Sequence, residues 1–447
     1  MSERVKKFPI GGTHLPEEKG LTSDVPIVTM PAPAEVVIPL KQHLGVVLEP
    51  TVAVGDRVRR GTLLGDSAEG LRAKIHSSVV GEVTEITDAA LPDGSRVRAI
   101  LIRTDADNAS GTSDEETLPP LELESLSDEE FRDAVISRVE EAGIVGLGGA
   151  TFPTHIKLAT RDKIDTVIVN GAECEPYITV DDRLMQENAE KVFRGLDIVR
   201  RVLGAERGFI ACEVNKPAAL KRLREVAAGF PLISAQALDT RYPHGAEKHL
   251  IKAVLNREVP IRALPGSVGV IVNNVQTVCA IADAVDLGRV LHSRVVTVSG
   301  HGIKTPKNLR VPLGTSVSDA IAFCDSESVP DPAVVVGGPM TGMRVTDFTI
   351  PIGKSTSGII LLTEDEYGGS LHMACIRCGK CVEVCPMYLP PNRITAYVNN
   401  DMIEEAVGAG LDACILCGAC QFVCPSKRPL LEWINHGKAV SAAKRRR

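Results

Sequence analysis

Hydrophobic and polar residues alternate in short runs over residues 31–103, and this pattern predicts a small β domain. The runs are VVIPL, VAVGDRV, GTLLGD, AKIHSSVVGEVTEI and VRAILIRT, and Gly-Asp and Asp-Gly turns separate them. Such spacing is typical of hairpins in a small barrel or sandwich. Residues 1–30 lack the pattern and are rich in Gly and Pro, so we expect an extended N-terminal segment that lies across another domain.

The pattern changes over residues 128–290, where amphipathic helices alternate with buried strands. DEEFRDAVISRVEEAG has helical periodicity with acidic residues in its first turn, and IDTVIVN is a continuous apolar run. This alternation is typical of an α/β domain. Residues 291–365 contain strands around a Gly-rich turn, then a Pro-bounded strand and a helix, which predicts a β-grasp module. The chain is therefore predicted to be multidomain, with α/β and β parts.

The segment that joins the first two domains is strongly acidic. Residues 104–130 contain ten acidic residues and no basic residue. We interpret 104–127 as a solvated linker. At the other end of the chain, residues 433–447 include KAVSAAKRRR and predict a basic tail, which is most often disordered.

Two cysteine runs, CIRCGKCVEVCP and CILCGACQFVCP, predict an α-helical ferredoxin-like domain over residues 366–432. Each run reads C-x-x-C-x-x-C-x-x-x-C-P, the spacing in which the fourth Cys of each run ligates the cluster of the other run. A structural zinc site uses two C-x-x-C pairs and does not explain the Cys-Pro endings. The runs therefore predict two [4Fe-4S] clusters. One would be held by Cys375, Cys378, Cys381 and Cys424, and the other by Cys414, Cys417, Cys420 and Cys385.

Composition narrows the class of protein further. The 447 residues are 44% hydrophobic and 24% charged, which fits several globular domains. Aromatic residues make up only 3% and the net charge is −7, so we expect no nucleic-acid partner. The N-terminal residues lack the apolar core of a signal peptide, and no apolar run approaches the ~18 residues of a membrane span. These features indicate a cytoplasmic redox protein.

A second candidate site follows the first predicted helix of the α/β domain. Gly146, Gly148 and Gly149 expose backbone N–H groups that could hold a flavin phosphate, and Lys157 could neutralise its charge. Asn170, Glu173 and Glu175 follow a predicted strand, where ligand crevices lie in α/β sheets. From the pattern alone, a tight turn with solvated acids explains these residues equally well.

A family resemblance favours the cofactor interpretation. GLGGATFPTHIKL followed by NGAECEPYITVDDRLM resembles GRGGAGFPTGLKW and NADESEPG in the flavoprotein subunit of respiratory complex I, which binds FMN and NADH. The resemblance implies noncovalent FMN and NAD(H) here, and it extends to YPHGAE and NNVQT. It adds these candidate site residues: Tyr242, Gly245, Glu247, Asn273, Asn274 and Thr277. Two acidic positions of that family are Ala172 and Ala246 in this chain.

Taken over nearly all of residues 8–430, the chain resembles the RnfC family, the C subunits of Rnf complexes. GGTHLPE, IPLKQHLG, VGGPMTG and both cysteine runs fall where that family has them, with a barrel-sandwich hybrid domain, a flavin domain and an SLBB-like β-grasp domain. The resemblance implies a peripheral protein on the cytoplasmic side of the membrane. It would pass electrons between NAD(H), FMN and two clusters in an ion-translocating ferredoxin:NAD oxidoreductase. The implied partners are the other membrane and iron–sulfur subunits of the complex and, indirectly, ferredoxin.

Two alternatives to this interpretation stay open at the level of sequence. The cobalamin reductase of propanediol microcompartments shares these modules, but it places the flavin domain ahead of the barrel-sandwich domain. A non-enzymatic iron–sulfur wiring protein would keep the clusters and lose the nucleotide site, and Ala172 and Ala246 are the residues that favour it.

Overall fold

The first domain consists of two small antiparallel sheets around one apolar core. The structure is a computed structural model that describes residues 5–106, 115–326, 332–367 and 372–446. The strands of this domain are β2 (Glu35–Pro39), β3 (Glu49–Pro50), β4 (Arg57–Val58), β5 (Leu63–Asp66), β6 (Ile75–His76), β7 (Gly81–Ala90) and β8 (Arg96–Thr104), after a first strand, β1 (Ile27–Thr29), that belongs to another sheet. The two sheets have the orders β2-β8-β7-β4 and β3-β5-β6. Val36, Ile38, Leu64 and Ile102 lie in the shared core and are fully buried.

The second domain is an α/β layer structure with a four-stranded parallel sheet. The strands are β9 (Thr166–Gly171), β10 (Arg207–Glu213), β11 (Ile233–Leu238) and β12 (Val270–Asn274). Their order is β11-β10-β9-β12. The strands β10 and β11 add on one side of β9 and β12 adds on the other, and all four strands are parallel. The helices are α1 (Asp128–Glu141), α2 (Thr154–Leu158), α3 (Val180–Glu187), α4 (Ala189–Val202), α5 (Pro217–Ala227), α6 (Glu247–Leu255) and α7 (Val275–Leu287).

Local sequence explains where these helices begin. Ser127 and Glu130 form a capping box at the start of α1, as the acidic first turn predicts. The side chain of Asn274 accepts a hydrogen bond from the amide of Gln276 and caps α7. Because β9 and β12 are parallel neighbours, the loops that follow them lie at the same edge of the sheet.

The third domain is a β-grasp module whose sheet also includes a strand from the N-terminal segment. Its elements are β13 (Ser293–Ser299), β14 (Lys307–Pro312), α8 (Val317–Phe323), β15 (Ala333–Val336), β16 (Met343–Val345), β17 (Gly358–Leu362) and α9 (Glu364–Tyr367). The six-stranded sheet has the order β1-β14-β13-β17-β15-β16, and β1 pairs in parallel with β14. The sequence predicts that the N-terminal segment lies across another domain, and its strand β1 adds to the sheet of this one.

The fourth domain is helical and contains both cysteine runs. Its helices are α10 (Lys380–Glu383), α11 (Pro391–Asn399), α12 (Ile403–Gly408), α13 (Ala419–Phe422) and α14 (Leu430–Arg446). The prediction of a disordered tail at 433–447 is wrong as far as Arg446. These residues are helical and belong to α14, which begins before the predicted boundary. Leu430 and Ile434 are buried against the cysteine-rich core, and this packing holds the helix in place.

The acidic linker also differs from the prediction. From Glu115 onward it packs first on the β domain and then on the α/β domain, and it is not freely solvated. The side chain of Glu115 is 10% exposed and contacts His292 at 3.1 Å, and the amide of Leu118 donates to the carbonyl of Gly288. Leu121, Leu123 and Leu126 also pack on the apolar core of that domain. The linker is acidic in composition, but its leucines pack on that core; residues 107–114 lie outside the described part.

Candidate functional site

A cavity of about 600 Å³ opens at the sheet edge where β9 and β12 end. Its walls come from the glycine loop, the segment after β9, the residues around the start of α6, and the cysteine-rich domain. Ligand pockets in proteins typically measure about 300–1,000 Å³, so the volume suits a flavin nucleotide. Eight of the thirteen predicted cofactor-site residues line this cavity: Gly148, Asn170, Glu173, Glu175, Tyr242, Gly245, Glu247 and Asn274.

The glycine loop is held by hydrogen bonds on one side and is open towards solvent on the other. The amide of Gly146 donates to the carbonyl of Phe152, and the amide of Leu147 donates to Thr277 Oγ1 at 2.9 Å. Gly149 has φ +108°, and a Cβ at this position would have no atom within 4 Å. Thr277 thus anchors the loop without lining the cavity. Gly149 also lies outside the lining, between the lining residues Gly148 and Ala150, and faces open space.

Two other predicted residues lie outside the lining of the cavity. Lys157 forms an ion pair with Glu247 at 3.5 Å and donates to the carbonyl of Val272. The sequence predicts that its ammonium group neutralises a phosphate, but in this structure Glu247 is its charged partner. Asn273 is 5% exposed, and its Nδ2 atom has no hydrogen-bond partner among the described residues.

The two acidic residues after β9 contact protein groups. The Glu173 carboxylate accepts hydrogen bonds from the amides of Asp181 and Asp182 at 2.6 and 3.2 Å, so it caps the start of α3. Glu175 accepts from the amide of Met340 at 3.0 Å and from Thr341 Oγ1 at 2.5 Å. Burial raises the pKa of both carboxyl groups. Both carboxylates, which the sequence places at a predicted ligand crevice, are therefore bound to protein groups in this structure.

The structure points to Asp181, which the sequence analysis missed. Asp181 lines the cavity and is 7% exposed. Its Oδ2 atom accepts from Asn274 Nδ2 at 2.6 Å, whereas its buried Oδ1 atom has no partner among the described residues. Burial raises the pKa of Asp181 to about 6. The signal was present in the VDDR segment, but only the fold shows which aspartate faces the cavity.

The Asp181 side chain and the glycine loop share one buried arginine. Arg294 on β13 donates to the carbonyl of Leu147 at 3.1 Å and to the carbonyl of Lys354. Burial lowers the pKa of Arg294 to about 10, and the charge of Asp181 partly opposes this shift. The β-grasp domain therefore supports the floor of the cavity with a buried cation.

One side chain joins the cavity to the cysteine-rich domain. Tyr242 lines the cavity and donates from its hydroxyl to the carbonyl of Cys417 at 2.6 Å. Ile415 and Cys417 themselves form part of the cavity wall.

His244 differs from its prediction. A lone histidine in a loop is expected to face solvent, but His244 is fully buried, and its Nδ1 atom lies 2.8 Å from the carbonyl of Asp239.

The structure brings Cys385, the last Cys of the first run, together with three cysteines of the second run. Cys385, Cys414, Cys417 and Cys420 line a single small cavity, which brings the last Cys of the first run to the second run. In the other group, burial raises the pKa of Cys381, and the charges of Cys424, Cys375 and Cys378 raise it further. Among the residues described, no three His, Cys, Asp or Glu side chains form a single-ion site. Four of the thiols share one small cavity, and charge effects on Cys381 relate the other four to one another.

The two cysteine loops repeat the same backbone turns. Arg377 and Leu416 have φ +57° and +55°, and Gly379 and Gly418 have φ +82° and +75°. Backbone amides also approach the sulfurs. Leu389 N lies 3.3 Å from Cys385 Sγ, and Leu416 N lies 3.4 Å from Cys414 Sγ. Amide contacts of this kind hold and tune iron–sulfur clusters, so the loops fit the predicted groups.

Similarity to known proteins identifies the family. The C subunit of the Na(+)-translocating ferredoxin:NAD(+) oxidoreductase complex of Acetobacterium woodii is 40% identical over 439 residues, which is 98% of each chain. The chain belongs to the RnfC family. The C subunit of the ion-translocating oxidoreductase complex of Rhodobacter capsulatus is 42% identical over 90% of this chain and 77% of that protein. The C subunit of the proton-translocating ferredoxin:NAD(+) oxidoreductase complex of Clostridium ljungdahlii is 40% identical over 89% and 85% of the two chains.

Models of individual domains agree with the RnfC assignment. The RnfC barrel sandwich hybrid domain matches residues 7–107, and the Nuo51 FMN-binding domain matches 139–283. The SLBB domain matches residues 295–324, and the 4Fe-4S dicluster domain matches 372–428. The predicted fold class is confirmed, and so are FMN and [4Fe-4S] clusters as the cofactors of these domains. No helix among the described residues is long and apolar enough to cross a membrane.

Proposed function

We propose that this chain is the NAD(H)-linked subunit of an ion-translocating ferredoxin:NAD⁺ oxidoreductase complex. In this role it passes electrons between NAD(H), noncovalently bound FMN and two [4Fe-4S] clusters. The observation that carries the proposal is that Cys417 lines both the large cavity at the sheet edge and the small cavity of four cysteines. A flavin in the first cavity would therefore lie beside a cluster in the second.

The chemistry requires such a neighbour. Nicotinamide exchanges two electrons as a hydride, whereas a cluster takes one electron at a time, and a bound flavin supplies both kinds of transfer. The residues of this chain would bind and orient FMN and NAD(H). The open backbone at Gly149 suits a phosphate, the unpartnered oxygen of Asp181 suits a flavin N–H or hydroxyl donor, and the partly exposed Glu247 suits ribose hydroxyls of NAD(H).

We further propose an order for the two clusters. Cys381, Cys385 and Cys420 are buried, whereas Cys375 and Cys378 are exposed. The group of Cys385, Cys414, Cys417 and Cys420 adjoins the cavity at the sheet edge, called the flavin cavity from here on. The group with Cys375 and Cys378 reaches the surface. This order suits electron exchange with the other membrane and iron–sulfur subunits of the complex, and through them with ferredoxin. The chain would then be peripheral on the cytoplasmic side of the membrane.

The test is a reduction experiment on the isolated protein, purified without oxygen. We expect an FMN absorbance spectrum, bleaching of that spectrum by NADH, and then loss of the cluster absorbance. A protein that keeps its clusters but neither contains flavin nor responds to NADH would instead be a non-enzymatic wiring protein. Added FMN, titrated into the flavin-free protein, separates loss of flavin during purification from lack of a site.

A further inference from the structure

The N-terminal residues 5–14, called here the strap, pass between the α/β domain and the cysteine-rich domain. The strap is anchored on the α/β side. The amide of Lys6 donates to the carbonyl of Ala237 at 2.9 Å, and the amide of Phe8 donates to Asp239 Oδ1 at 2.7 Å. Thr13 and Tyr242 exchange two main-chain hydrogen bonds of 2.8 and 2.9 Å. These bonds attach the strap to the wall of the flavin cavity, because Tyr242 lines that cavity.

The middle of the strap touches the segment that supplies a cluster ligand. The amide of Gly12 donates to the carbonyl of Val384 at 2.8 Å. A Cβ on Gly11 would lie 2.8 Å from the carbonyl oxygen of Cys385 and 3.0 Å from that of Val384. Gly11 and Gly12 have φ +64° and +69°, so both the conformation and the close approach require glycine. Arg241 fixes this turn by donating to the carbonyl of Gly11 at 2.9 Å.

A second contact holds the same segment from the side of α6. His249 Nε2 lies 2.9 Å from the carbonyl of Pro386, which follows Cys385 directly. The ring of Phe8 stacks on His249, with centroids 5.3 Å apart and an interplanar angle of 16°. Phe8 is 7% exposed and His249 is 6% exposed. The strap therefore supports residues 384–386 directly through Gly12 and indirectly through His249.

We propose that the strap is a positioning element for electron transfer, which holds the Val384–Pro386 segment and its ligand Cys385 at a fixed place beside the flavin cavity. This inference rests on the proposed function. A ligand loop without such support would let the cluster shift relative to the flavin, and electron transfer slows as the two cofactors move apart. Hydrogen bonds from outside the ligand set are known to orient cluster ligands and tune clusters.

Three glycine-to-alanine variants test the strap in the full-length protein. Gly11→Ala introduces a clash with Cys385 and a strained φ. Gly55→Ala introduces a strained φ of +94° with no atom within 4 Å, and Gly20→Ala introduces neither a clash nor a positive φ. We expect Gly11→Ala to keep FMN and iron at wild-type stoichiometry and to be bleached by NADH at the normal rate. Transfer from flavin to cluster should be several-fold slower than in the wild type, whereas both controls should match the wild type.

A readout that does not depend on activity is hydrogen–deuterium exchange of the backbone amides of residues 384 and 385. Exchange there should be faster in Gly11→Ala than in Gly55→Ala. If Gly11→Ala loses its clusters, Phe8→Ala becomes the test of the strap. This variant removes the stacking on His249 and introduces no clash with Cys385. Normal transfer rates and normal exchange in both strap variants would overturn the inference. A wild-type protein that binds no flavin would overturn the proposed function instead, so the two failures are distinguishable.

Discussion

The hydroxyl of Tyr242 donates a 2.6 Å hydrogen bond to the main-chain carbonyl of Cys417. Tyr242 is 4% exposed and lines the flavin cavity, and Cys417 belongs to the group of four cysteines beside it. A single side chain thus contacts both candidate cofactor sites. Burial raises the pKa of Tyr242 further above its ordinary range, so the hydroxyl keeps its proton and stays a donor.

Replacing Tyr242 with Phe should weaken the contact between the two domains. The change leaves a partly buried carbonyl without its donor, which costs at most about 1–3 kcal/mol. We expect a lower thermal midpoint and slower transfer from flavin to cluster, with FMN content unchanged. Tyr397→Phe is the matched control, because among the described residues its hydroxyl accepts only from the exposed Arg393, at 2.9 Å. Equal transfer rates in the two variants would show that the Tyr242 hydroxyl plays no part.

The crosswise cluster assignment predicts opposite effects for two cysteine variants. Cys424→Ser should damage the cluster of Cys375, Cys378 and Cys381, since Cys424 is one of the groups that raise the pKa of Cys381. Cys385→Ser should damage the buried cluster, since Cys385 shares a cavity with the second run. Electron paramagnetic resonance of the reduced proteins, with iron content, distinguishes the two clusters. Loss of the buried cluster in Cys424→Ser would reverse the assignment.

The open space at Gly149 predicts a selective loss of flavin. Gly149→Val places a side chain where no protein atom lies within 4 Å, so it should clash with a bound phosphate and not with the protein. FMN content should fall severalfold while iron content stays the same. Gly94→Val controls for backbone strain, because Gly94 also has a positive φ of +79° and open surroundings. Normal FMN content in Gly149→Val would move the phosphate site away from this loop.

The short-range patterns of the chain predicted its elements well, and long-range packing decided the rest. The alternating runs, the apolar strand IDTVIVN and the cysteine spacing each depend on neighbours in sequence, and each corresponds to the structure. Glu173 looked like a ligand because it follows a strand, but the helix that it caps begins at Val180, which carries no recognisable cap of its own. His244 looked solvent-facing because nothing in sequence shows that Phe8 packs on its ring at 5.3 Å.

Lys354 makes the stability of the apoprotein depend on pH. Its side chain is fully buried, donates to the carbonyls of Lys74 and Gly143 at 2.7 Å each, and joins three domains. Burial lowers its pKa to about 7, from about 10.5 in the unfolded chain. Between these values the unfolded chain binds the additional proton, so stability should rise with pH from 7 to about 10.

The variant Lys354→Met should remove this slope, which amounts to about 1.4 kcal/mol per pH unit at most. Loss of the two hydrogen bonds shifts its stability by an amount that does not depend on pH. Thermal midpoints at several pH values, measured for both proteins, separate the slope from the offset. Lys304→Met, at an exposed position, should follow the wild type. Parallel curves for wild type and Lys354→Met would mean that the ammonium group stays charged in the folded protein.

The last prediction concerns the choice of nucleotide. Glu247 begins α6, lines the cavity, and keeps 40% of its side chain exposed although it pairs with Lys157 at 3.5 Å. An accessible carboxylate at this position can accept hydrogen bonds from ribose hydroxyls and repels a 2′-phosphate. Glu247→Gln should therefore raise the KM for NADH roughly tenfold, relax the preference against NADPH, and leave FMN content and cluster spectra unchanged.

Lys157→Met separates the two possible roles of Glu247. It removes the ion pair while leaving the carboxylate free for a nucleotide, so the KM for NADH should stay close to that of the wild type. If both variants raise the KM equally, the ion pair between Lys157 and Glu247 shapes the site and the carboxylate does not contact ribose. If Glu247→Gln changes neither the KM nor the discrimination against NADPH, Glu247 acts only at the start of α6, where an acidic side chain stabilises a helix by about 0.3–1 kcal/mol. The thermal midpoint, which would then be the only quantity to fall, distinguishes that outcome from nucleotide recognition.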